Sequence, residues 1–407
     1  MKTTKTNVLQ FLLIVTGIFA ISTPCLAASS DILITKSGSE LDWADAHMDN
    51  NIVATYVSSS SPPSIKVYHA DGSMYRSIPL TRDVMEIDSL EISDGRVYYA
   101  EYNPTEFGYW RNETVYEYDL GTDVKRVIYV TEGIQQRITR IAADGDHVVL
   151  RGGSNDQHLI LHTLSTGTNQ IIVTSRDSIH GLAIDGDRIM WGGSRIDREA
   201  GREIHVYSIS SGRDYIIPES KSARTSGYGD ISGDNVVWAM GSKDPDYING
   251  VPVLGHSGYD IRLTNLTSGK TRSIDISDTA PIIDPFISGN TLAWLKAPNV
   301  DYNNSCRNVI RTYDIPTGKF TDIGSGICSL NGIDGDLLLR DQFWITSISG
   351  KIPVMTAPTT EPAVSPAAYP KQQDPTPAES PVETVVIILA VTVGAIGYAI
   401  QKKISGR

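Results

Sequence analysis

Three stretches in the middle of the chain share one pattern: AADGDHVVLRGG (residues 142–153), AIDGDRIMWGGS (183–194) and ISGDNVVWAMGS (231–242). Each stretch begins with the last residues of one strand, continues through a tight turn of Gly, Asp or Asn, and ends in a second strand rich in Val, Ile, Met or Trp. This order is the pattern of a β-hairpin. The pattern recurs as DNNIVATYV (49–57), ISDGRVYYAEY (92–102), ISGNTLAWLKA (287–297) and GIDGDLLLRD (332–341). The chain therefore contains seven copies of one unit, with equivalent turn positions at Asp49, Asp94, Gly145, Gly186, Gly233, Gly289 and Gly335.

A second hairpin follows the first in each unit. Clear examples are HVYSISSGRDYII (205–217), IRLTNLTSGKTRSI (261–274) and IRTYDIPTGKFTDI (310–323). Four short strands in a repeat of roughly 40–50 residues are typical of a β-propeller blade. We therefore predict an all-β fold over residues 31–356, a seven-bladed β-propeller of four-stranded antiparallel blades. The stretch DILITK (31–36) precedes the first unit and should pair with the last blade, closing the ring.

The repeat resembles a known group of proteins. ISGDNVVWAMGS (231–242), followed after an insertion by YDIRLTNLTSGKTRSI (259–274), resembles the propeller repeats of secreted archaeal cell-surface proteins, especially those of methanogens. The resemblance covers about residues 31–356 and implies the fold and an extracellular location, but it supplies no catalytic residues. Two blades depart from the pattern: the first lacks the turn Gly, and the last has Arg340 where others have Trp.

The N-terminus reads as a secretory signal peptide, residues 1–28. Lys2 and Lys5 precede an apolar segment over residues 8–21, and small residues near Ala27 offer a cleavage site. Two alternatives stay open, a lipoprotein signal acylated on Cys25 and an anchor that is not cleaved.

The C-terminus predicts attachment to a membrane. Residues 384–400 contain no charged residue and reach the shortest length that spans a bilayer, about 17 residues. The tail at 401–407 is basic, which places it in the cytoplasm and everything before the helix outside. The Pro/Thr-rich segment 357–381 is predicted to be a disordered stalk, similar to the membrane-anchored C-termini of the same archaeal group. The alternative is that 384–400 is a buried core helix.

Composition excludes several classes. The chain has 35 Lys and Arg against 47 Asp and Glu, a net charge of −12, so nucleic acid is not an expected partner. With only 3 Cys, a multi-cysteine zinc site is excluded. In an extracellular protein, Cys306 and Cys328 are predicted to form a disulfide. The sequons predict glycosylation at Asn112, Asn265 and Asn303.

Loop length predicts which face of the propeller binds a partner. The turns between strands 1 and 2 and between strands 3 and 4 are short in every unit, whereas long segments join strands 2 and 3. Because loops on a rigid scaffold commonly bind ligands, the long segments are the expected binding face. The alternative is that their aromatic rings pack the loops onto the blade rims. The candidate binding residues are Phe107, Tyr109, Trp110, Asp244, Asp246, Tyr247, His256, Tyr259, Asp301 and Tyr302.

The repeated residues are expected to be structural. Trp191, Trp238 and Trp294 occupy one repeat position and should pack between blades. The first Asp of each DGD turn should accept backbone hydrogen bonds; these residues are Asp144, Asp185 and Asp334. Repeated calcium binding is the alternative for these Asp residues. His180 and Tyr228 open their repeats and could face the central channel.

Nothing in the sequence predicts a catalytic residue, a metal site or a cofactor. The sequence favours a non-catalytic cell-surface propeller that binds glycans or envelope proteins. The alternative is an extracellular polysaccharide-acting hydrolase or lyase, which would show two carboxylates in one pocket. A purely structural role in the envelope is a third hypothesis.

Overall fold

A computed structural model describes the repeat region of the chain. The chain divides into one unit over Met1–Met355 and another over Thr356–Arg407, and the second lies wholly outside the described residues. The predicted signal peptide, stalk and membrane helix therefore fall outside them too. The described residues are 31–33, 46–57, 60, 62–80, 87–102, 113–131, 137–153, 157–176, 178–194, 202–222, 224–241, 246–248, 251–253, 259–276, 282–296, 308–341 and 344–350.

The first unit is a seven-bladed propeller whose blades are four-stranded antiparallel sheets. Strand β1 (Asp31–Leu33) comes first along the chain and belongs to the last blade. The strands of the next three blades, from innermost to outermost, are β2 (Ala46–Asp49), β3 (Ile52–Val57), β4 (Ser64–His69) and β5 (Met74–Pro79) in blade 1; β6 (Ile87–Ser93), β7 (Arg96–Tyr102), β8 (Glu113–Asp119) and β9 (Val124–Val130) in blade 2; and β10 (Ile138–Asp144), β11 (His147–Gly152), β12 (Gln157–Thr163) and β13 (Thr168–Ser175) in blade 3.

The remaining blades follow the same plan. A 3-10 helix at Pro218–Ser222 joins blades 4 and 5, and an additional hairpin interrupts blade 5. The strands are β14 (Ile179–Asp185), β15 (Arg188–Ser194), β16 (Arg202–Ser208) and β17 (Arg213–Ile216) in blade 4; β18 (Arg224–Ser232), β19 (Asn235–Gly241), β22 (Tyr259–Asn265) and β23 (Lys270–Ile276) in blade 5, with β20 (Asp246–Ile248) and β21 (Val251–Val253) as the extra hairpin; β24 (Ile282–Ser288), β25 (Thr291–Lys296), β26 (Asn308–Asp314) and β27 (Lys319–Ile327) in blade 6; and β28 (Leu330–Asp334), β29 (Leu337–Arg340) and β30 (Trp344–Ser347) in blade 7.

The ring closes through the start of the chain, which confirms the predicted clasp. Strand β1 pairs antiparallel with β30 as the outermost strand of blade 7. Asp31 accepts a hydrogen bond from the Thr346 hydroxyl at 2.7 Å and forms an ion pair with Arg340 at 3.0 Å. Arg340 stands where other blades have Trp, so this departure from the repeat is explained by the clasp.

Apolar side chains pack in clusters that each join two neighbouring blades, and the clusters cover all seven interfaces. Trp191, Trp238 and Trp294 are buried in the interfaces between blades 3 and 4, 4 and 5, and 5 and 6. Their packing between blades is as predicted, and in each case the neighbour is the preceding blade. Burying a large apolar side chain stabilises a fold by about 1.5–3 kcal/mol, so this repeat position holds adjacent blades together.

A ring of hydrogen bonds also links every blade to the next. A side-chain oxygen accepts a hydrogen bond from a backbone N–H in the first turn of the following blade. The accepting residue ends the innermost strand of its blade, except in blade 2, where Asp94 directly follows the strand. The accepting side chain is Asp in five places and Ser in two. The bonds run from Asp94 N to Asp49 (2.8 Å), Gly145 N to Asp94 (3.1 Å), Gly186 N to Asp144, Gly233 N to Asp185, Gly289 N to Ser232 (3.1 Å), Gly335 N to Ser288 (3.0 Å) and Asn51 N to Asp334 (2.9 Å).

The strand register corrects one equivalence drawn from the sequence. In blade 1 Asp49 pairs with Ile52, so the residue equivalent to the turn Gly is Asn50, one position later than expected. Asn50 has φ 49° and Asn51 has φ 62°. Asn tolerates this left-handed conformation better than most residues, which explains how blade 1 forms the turn without Gly.

The second Asp of the turns links the two hairpins within a blade. Asp187 accepts hydrogen bonds from the Ser210 N–H at 2.6 Å and from the Ser208 hydroxyl at 2.8 Å. Asp336 accepts in the same way from the Ser349 N–H at 2.9 Å. Burial opposes the charge of Asp187, but the serine hydrogen bonds and Arg188 outweigh it and lower its pKa. Both Asp residues of the turn are therefore structural. The sequence predicts this for the first, at Asp144, Asp185 and Asp334, but not for the second.

One element was not predicted. The insertion in blade 5 contains the hairpin β20–β21, in which Tyr247 pairs with Pro252. The sequence does contain a hairpin pattern here, because Asn249-Gly250 lies between two short β-branched or aromatic runs.

The ring of hydrogen bonds can be tested at the junction between blades 4 and 5. Asp185→Ala should lower the free energy of unfolding by about 1 kcal/mol, because the Gly233 N–H loses its acceptor. Asp185→Ser should retain most of the stability, since Ser232 and Ser288 accept the equivalent bonds elsewhere in the ring. Urea unfolding of the three proteins measures both effects. Equal losses for Ala and Ser, or no loss for Ala, would contradict the assigned role.

Candidate functional site

The strand order confirms that the long segments leave from one end of the propeller. Every innermost strand ends at a short turn in the hydrogen-bonded ring, so strands 2 and 3 are joined at the opposite end. The segments outside the described residues that make this connection are 103–112 in blade 2, 195–201 in blade 4 and 297–307 in blade 6. In blade 5 the connection includes the hairpin β20–β21.

Most of the candidate binding residues lie outside the described residues. The backbone of Asp246 and Tyr247 forms β20, and Tyr259 begins β22. The other candidates lie outside, so binding at these side chains stays a prediction. They are Phe107, Tyr109, Trp110, Asp244, His256, Asp301 and Tyr302.

The predicted modifications are described only in part. Cys328 is disulfide-bonded, and its predicted partner Cys306 lies outside the described residues. Asn265 ends β22, and its side chain accepts a hydrogen bond from the Ser268 N–H at 3.0 Å. Asn112 and Asn303 also lie outside, so glycosylation remains a prediction.

A central pocket of about 580 Å³ lies in the channel. It is lined by innermost-strand residues of blades 1, 3, 4, 5, 6 and 7, and by the ends of β11 and β12. It begins where β2, β10 and β28 begin, at the end opposite the hydrogen-bonded ring. Its volume is in the ordinary range for small-ligand sites, about 300–1,000 Å³. The lining side chains with polar or charged groups include His47, Arg140, Arg151, His180, Tyr228 and Asp230.

The repeat places three titratable residues at one level of the channel. His47, Glu91 and Asp230 each lie two residues before the end of their innermost strand. His47 Nδ1 is 3.2 Å from Glu91 Oε2, and both side chains are largely buried. The other blades have Ala142, Ala183, Phe286 and Gly332 at this position. These residues can be read from the sequence, but only the strand register shows that they lie at the same depth in the channel.

Asp230 connects two blades from inside the channel. Its carboxylate accepts the Ile231 N–H at 2.9 Å and, from blade 6, the Ile287 N–H at 2.9 Å. Burial raises the pKa of Asp230 to about 6; the two hydrogen bonds and Arg140 act in the opposite direction, and Glu91 adds to the rise. This carboxylate therefore changes its charge near pH 6.

His180 and Tyr228 both line the pocket, so their predicted orientation toward the channel is confirmed. Their rings meet edge to face, with centroids 6.1 Å apart. The backbone between them is close-packed: Gly181 has φ +53°, and a Cβ there would lie 2.8 Å from the Gly227 carbonyl oxygen. Bulges after His180 and after Thr225 shift both inner strands at this point. The sequence pattern alone does not reveal these bulges.

The described residues also bear on metal binding and on membrane spanning. Within these ranges, no group of three His, Cys, Asp or Glu side chains could hold a metal ion. The described part of the chain also contains no helix long and apolar enough to cross a bilayer.

No family model and no curated protein matches the sequence. Solved structures with a similar fold include the tricorn protease (TM-score 0.53, 15% identity, 77% of this chain and 34% of that chain). They also include an acylaminoacyl peptidase in complex with Z-Gly-Gly-Phe-chloromethyl ketone (0.51, 13%, 73% and 48%), and an oligogalacturonate lyase in complex with manganese (0.50, 10%, 73% and 86%). The chain spans about a third of the tricorn protease and about half of the peptidase. At these identities the likeness shows the propeller fold alone.

The raised pKa of Asp230 has a measurable effect on stability. The unfolded chain releases this proton near pH 3.8, whereas the folded protein holds it to about pH 6. Ionisation of Asp230 therefore destabilises the fold as the pH rises from about 4 to 6. Asp230→Asn should lack this loss, and it should be less stable at pH 4 by about 1–3 kcal/mol because an amide has only one oxygen for two N–H groups.

Urea unfolding of the wild type and Asp230→Asn at intervals from pH 4 to pH 7 tests this expectation. The difference between the two free energies of unfolding should shrink as the pH rises. Glu91→Gln removes the other carboxylate at the same level and should keep most of the pH dependence, because Glu91 adds less to the rise in the pKa of Asp230 than burial does. A difference between wild type and Asp230→Asn that is constant with pH would contradict the raised pKa.

Proposed function

We propose that the protein is a non-catalytic binding propeller of the cell surface whose ligand site is the central pocket together with the long segments around it. The observation that supports this most directly is the position of the pocket. It lies at the end of the ring where strands 2 and 3 are joined, and polar and charged side chains from several blades converge there. The other end consists of short turns joined by hydrogen bonds.

The chemistry of the pocket supports binding more than hydrolysis. A glycosidase needs two carboxylates that act on one bond. Among the described residues that line the pocket, Asp230 is the only acid, and its carboxylate already accepts two backbone N–H groups. Glu91 lies at the same level but is paired with His47. These carboxylates are held in place by the fold rather than presented to a substrate.

The cellular address in this proposal rests on the sequence. The predicted signal peptide over 1–28 and the apolar segment 384–400 would place both the propeller and the predicted stalk 357–381 outside the cell. Its partners would then be glycans or envelope proteins. The solved structures with this fold include hydrolases and a lyase. A polysaccharide-acting enzyme is therefore the alternative hypothesis that the experiment must distinguish.

Binding to a glycan array and to solubilised envelope components tests the proposal with full-length protein in detergent. Ser178→Trp should block the pocket, because Ser178 is an exposed lining residue. A second variant replaces residues 242–258 with a short Gly-Ser linker, and Ser211→Trp, in an exposed turn at the other end, is the control. Ser178→Trp should lose binding at least tenfold and Ser211→Trp should retain it.

The shortened blade 5 variant shows whether the long segments contribute to the site. Retained binding by both this variant and Ser178→Trp would overturn the proposal. Cleavage of a bound polysaccharide by the wild type would favour the enzyme instead.

A further inference from the structure

Two arginines stand side by side on one wall of the central pocket. Arg140 on β10 and Arg151 on β11 are directly opposite each other in the strand register, so their side chains share one face of the sheet. Both line the pocket. Like charges at directly opposite positions destabilise a sheet. This pairing occurs in a chain with an excess of acidic residues, 47 against 35 basic ones.

Arg151 is fixed by hydrogen bonds that leave its charge uncompensated. Its Nε donates to the Thr139 hydroxyl at 2.9 Å, and its Nη1 donates to the Ile179 carbonyl at 3.0 Å. Both acceptors are neutral. Burial, together with the neighbouring charge of Arg140, lowers the pKa of Arg151.

Arg140 is the more available of the two. Among the described residues, its guanidinium has neither a hydrogen bond nor an ion pair. Asp230 lies near enough for Arg140 to lower its pKa, but the carboxylate of Asp230 accepts the Ile231 and Ile287 N–H groups instead. The pocket thus contains one guanidinium held in a fixed orientation and, beside it, a second whose N–H donors have no partner in the described part of the chain.

The rest of the lining limits the kind of anion that fits. The two arginines against Asp230 leave one positive charge among these three lining residues above about pH 6. One ionised carboxylate balances that net charge, whereas a doubly charged phosphate would leave one excess negative charge in the pocket. Tyr228, which is 45% exposed, and the half-buried Phe286 provide flat apolar surface in the same pocket. Such rings can pack against the face of a sugar.

We propose that the central pocket binds a saccharide bearing a carboxylate, with the carboxylate between Arg140 and Arg151 and a sugar ring against Tyr228. This inference rests on the proposed function, since it takes the central pocket as the ligand site. Arginine suits the role because its fork of N–H donors matches the two oxygens of a carboxylate.

Saturation-transfer NMR and thermal denaturation of the full-length protein test the inference with two matched probes, digalacturonate and the neutral disaccharide galactobiose. Digalacturonate should bind the wild type and raise its Tm, while galactobiose binds at least tenfold more weakly. Arg140→Gln should weaken digalacturonate binding about tenfold or more, because hydrogen bonds to charged groups are worth that factor. Its affinity for galactobiose should not change.

Two controls separate a binding effect from a folding effect. Arg213→Gln removes an exposed arginine on β17, outside the pocket, and should bind digalacturonate like the wild type. Without ligand, Arg140→Gln should melt at or above the wild-type temperature, because it removes a like-charge contact. A lower Tm for Arg140→Gln without ligand would contradict the claim that Arg140 and Arg151 repel each other in the folded protein.

Competition distinguishes the class of anion, and the outcomes separate the two proposals. Acetate should displace digalacturonate at lower concentration than phosphate does, and the reverse order would overturn the carboxylate assignment. Equal affinity for digalacturonate and galactobiose, unchanged in Arg140→Gln, would overturn this inference while the binding pocket stands. The inference would also fail, with the pocket still a binding site, if Ser178→Trp lost the binding of a glycan or protein partner and the wild type did not bind digalacturonate. If every partner binds Ser178→Trp and the shortened blade 5 variant as tightly as it binds the wild type, the proposed function itself fails.

Discussion

The fold depends on one hydrogen bond that is made at every junction between blades. A side chain at or directly after the end of each innermost strand accepts a hydrogen bond from a backbone N–H in the next blade's first turn. The last of these bonds, from Asn51 N–H to Asp334, closes the circle. A blade cannot bury both of its faces alone, so its apolar clusters form only when it stacks on its neighbours. The hydrogen bonds fix the rotation between stacked blades, and the Trp positions fill the space between them.

This constraint explains why the two ends of the propeller differ. At the end with the ring, the turns must stay short and keep their Gly, Asp, Asn or Ser, because each supplies a donor or an acceptor. The opposite end is free of that requirement. The pocket begins there, and the side chains that line it near the strand starts differ between blades, from Thr139 and Arg140 in blade 3 to Leu330 and Asn331 in blade 7. The repeated turns fix the geometry at one end of the propeller, and the side chains at the other end can differ from blade to blade.

Much of the fold could be predicted because each repeat encodes it locally. The turn residues and the alternation of apolar positions indicated the strands, and the unpaired stretch at Asp31 indicated the clasp. The pocket could not be predicted in the same way. Arg140 and Arg151 are eleven positions apart and look unrelated until the register places them opposite each other. Bulges beside His180 and Tyr228 also alter which side chains enter the channel, and a strict two-residue alternation misses them.

Amide hydrogen exchange at single-residue resolution tests the ring most directly, because its donors lie in turns at the surface. The N–H groups of Gly145, Gly186, Gly233, Gly289 and Gly335 should exchange as slowly as those in the innermost strands, although a Cβ at each of these glycines would meet nothing within 4 Å. Protection of this kind requires an acceptor on the neighbouring blade. Exchange at the rate of solvent-exposed turn amides would show that the blades are held by apolar packing alone, and would contradict the account.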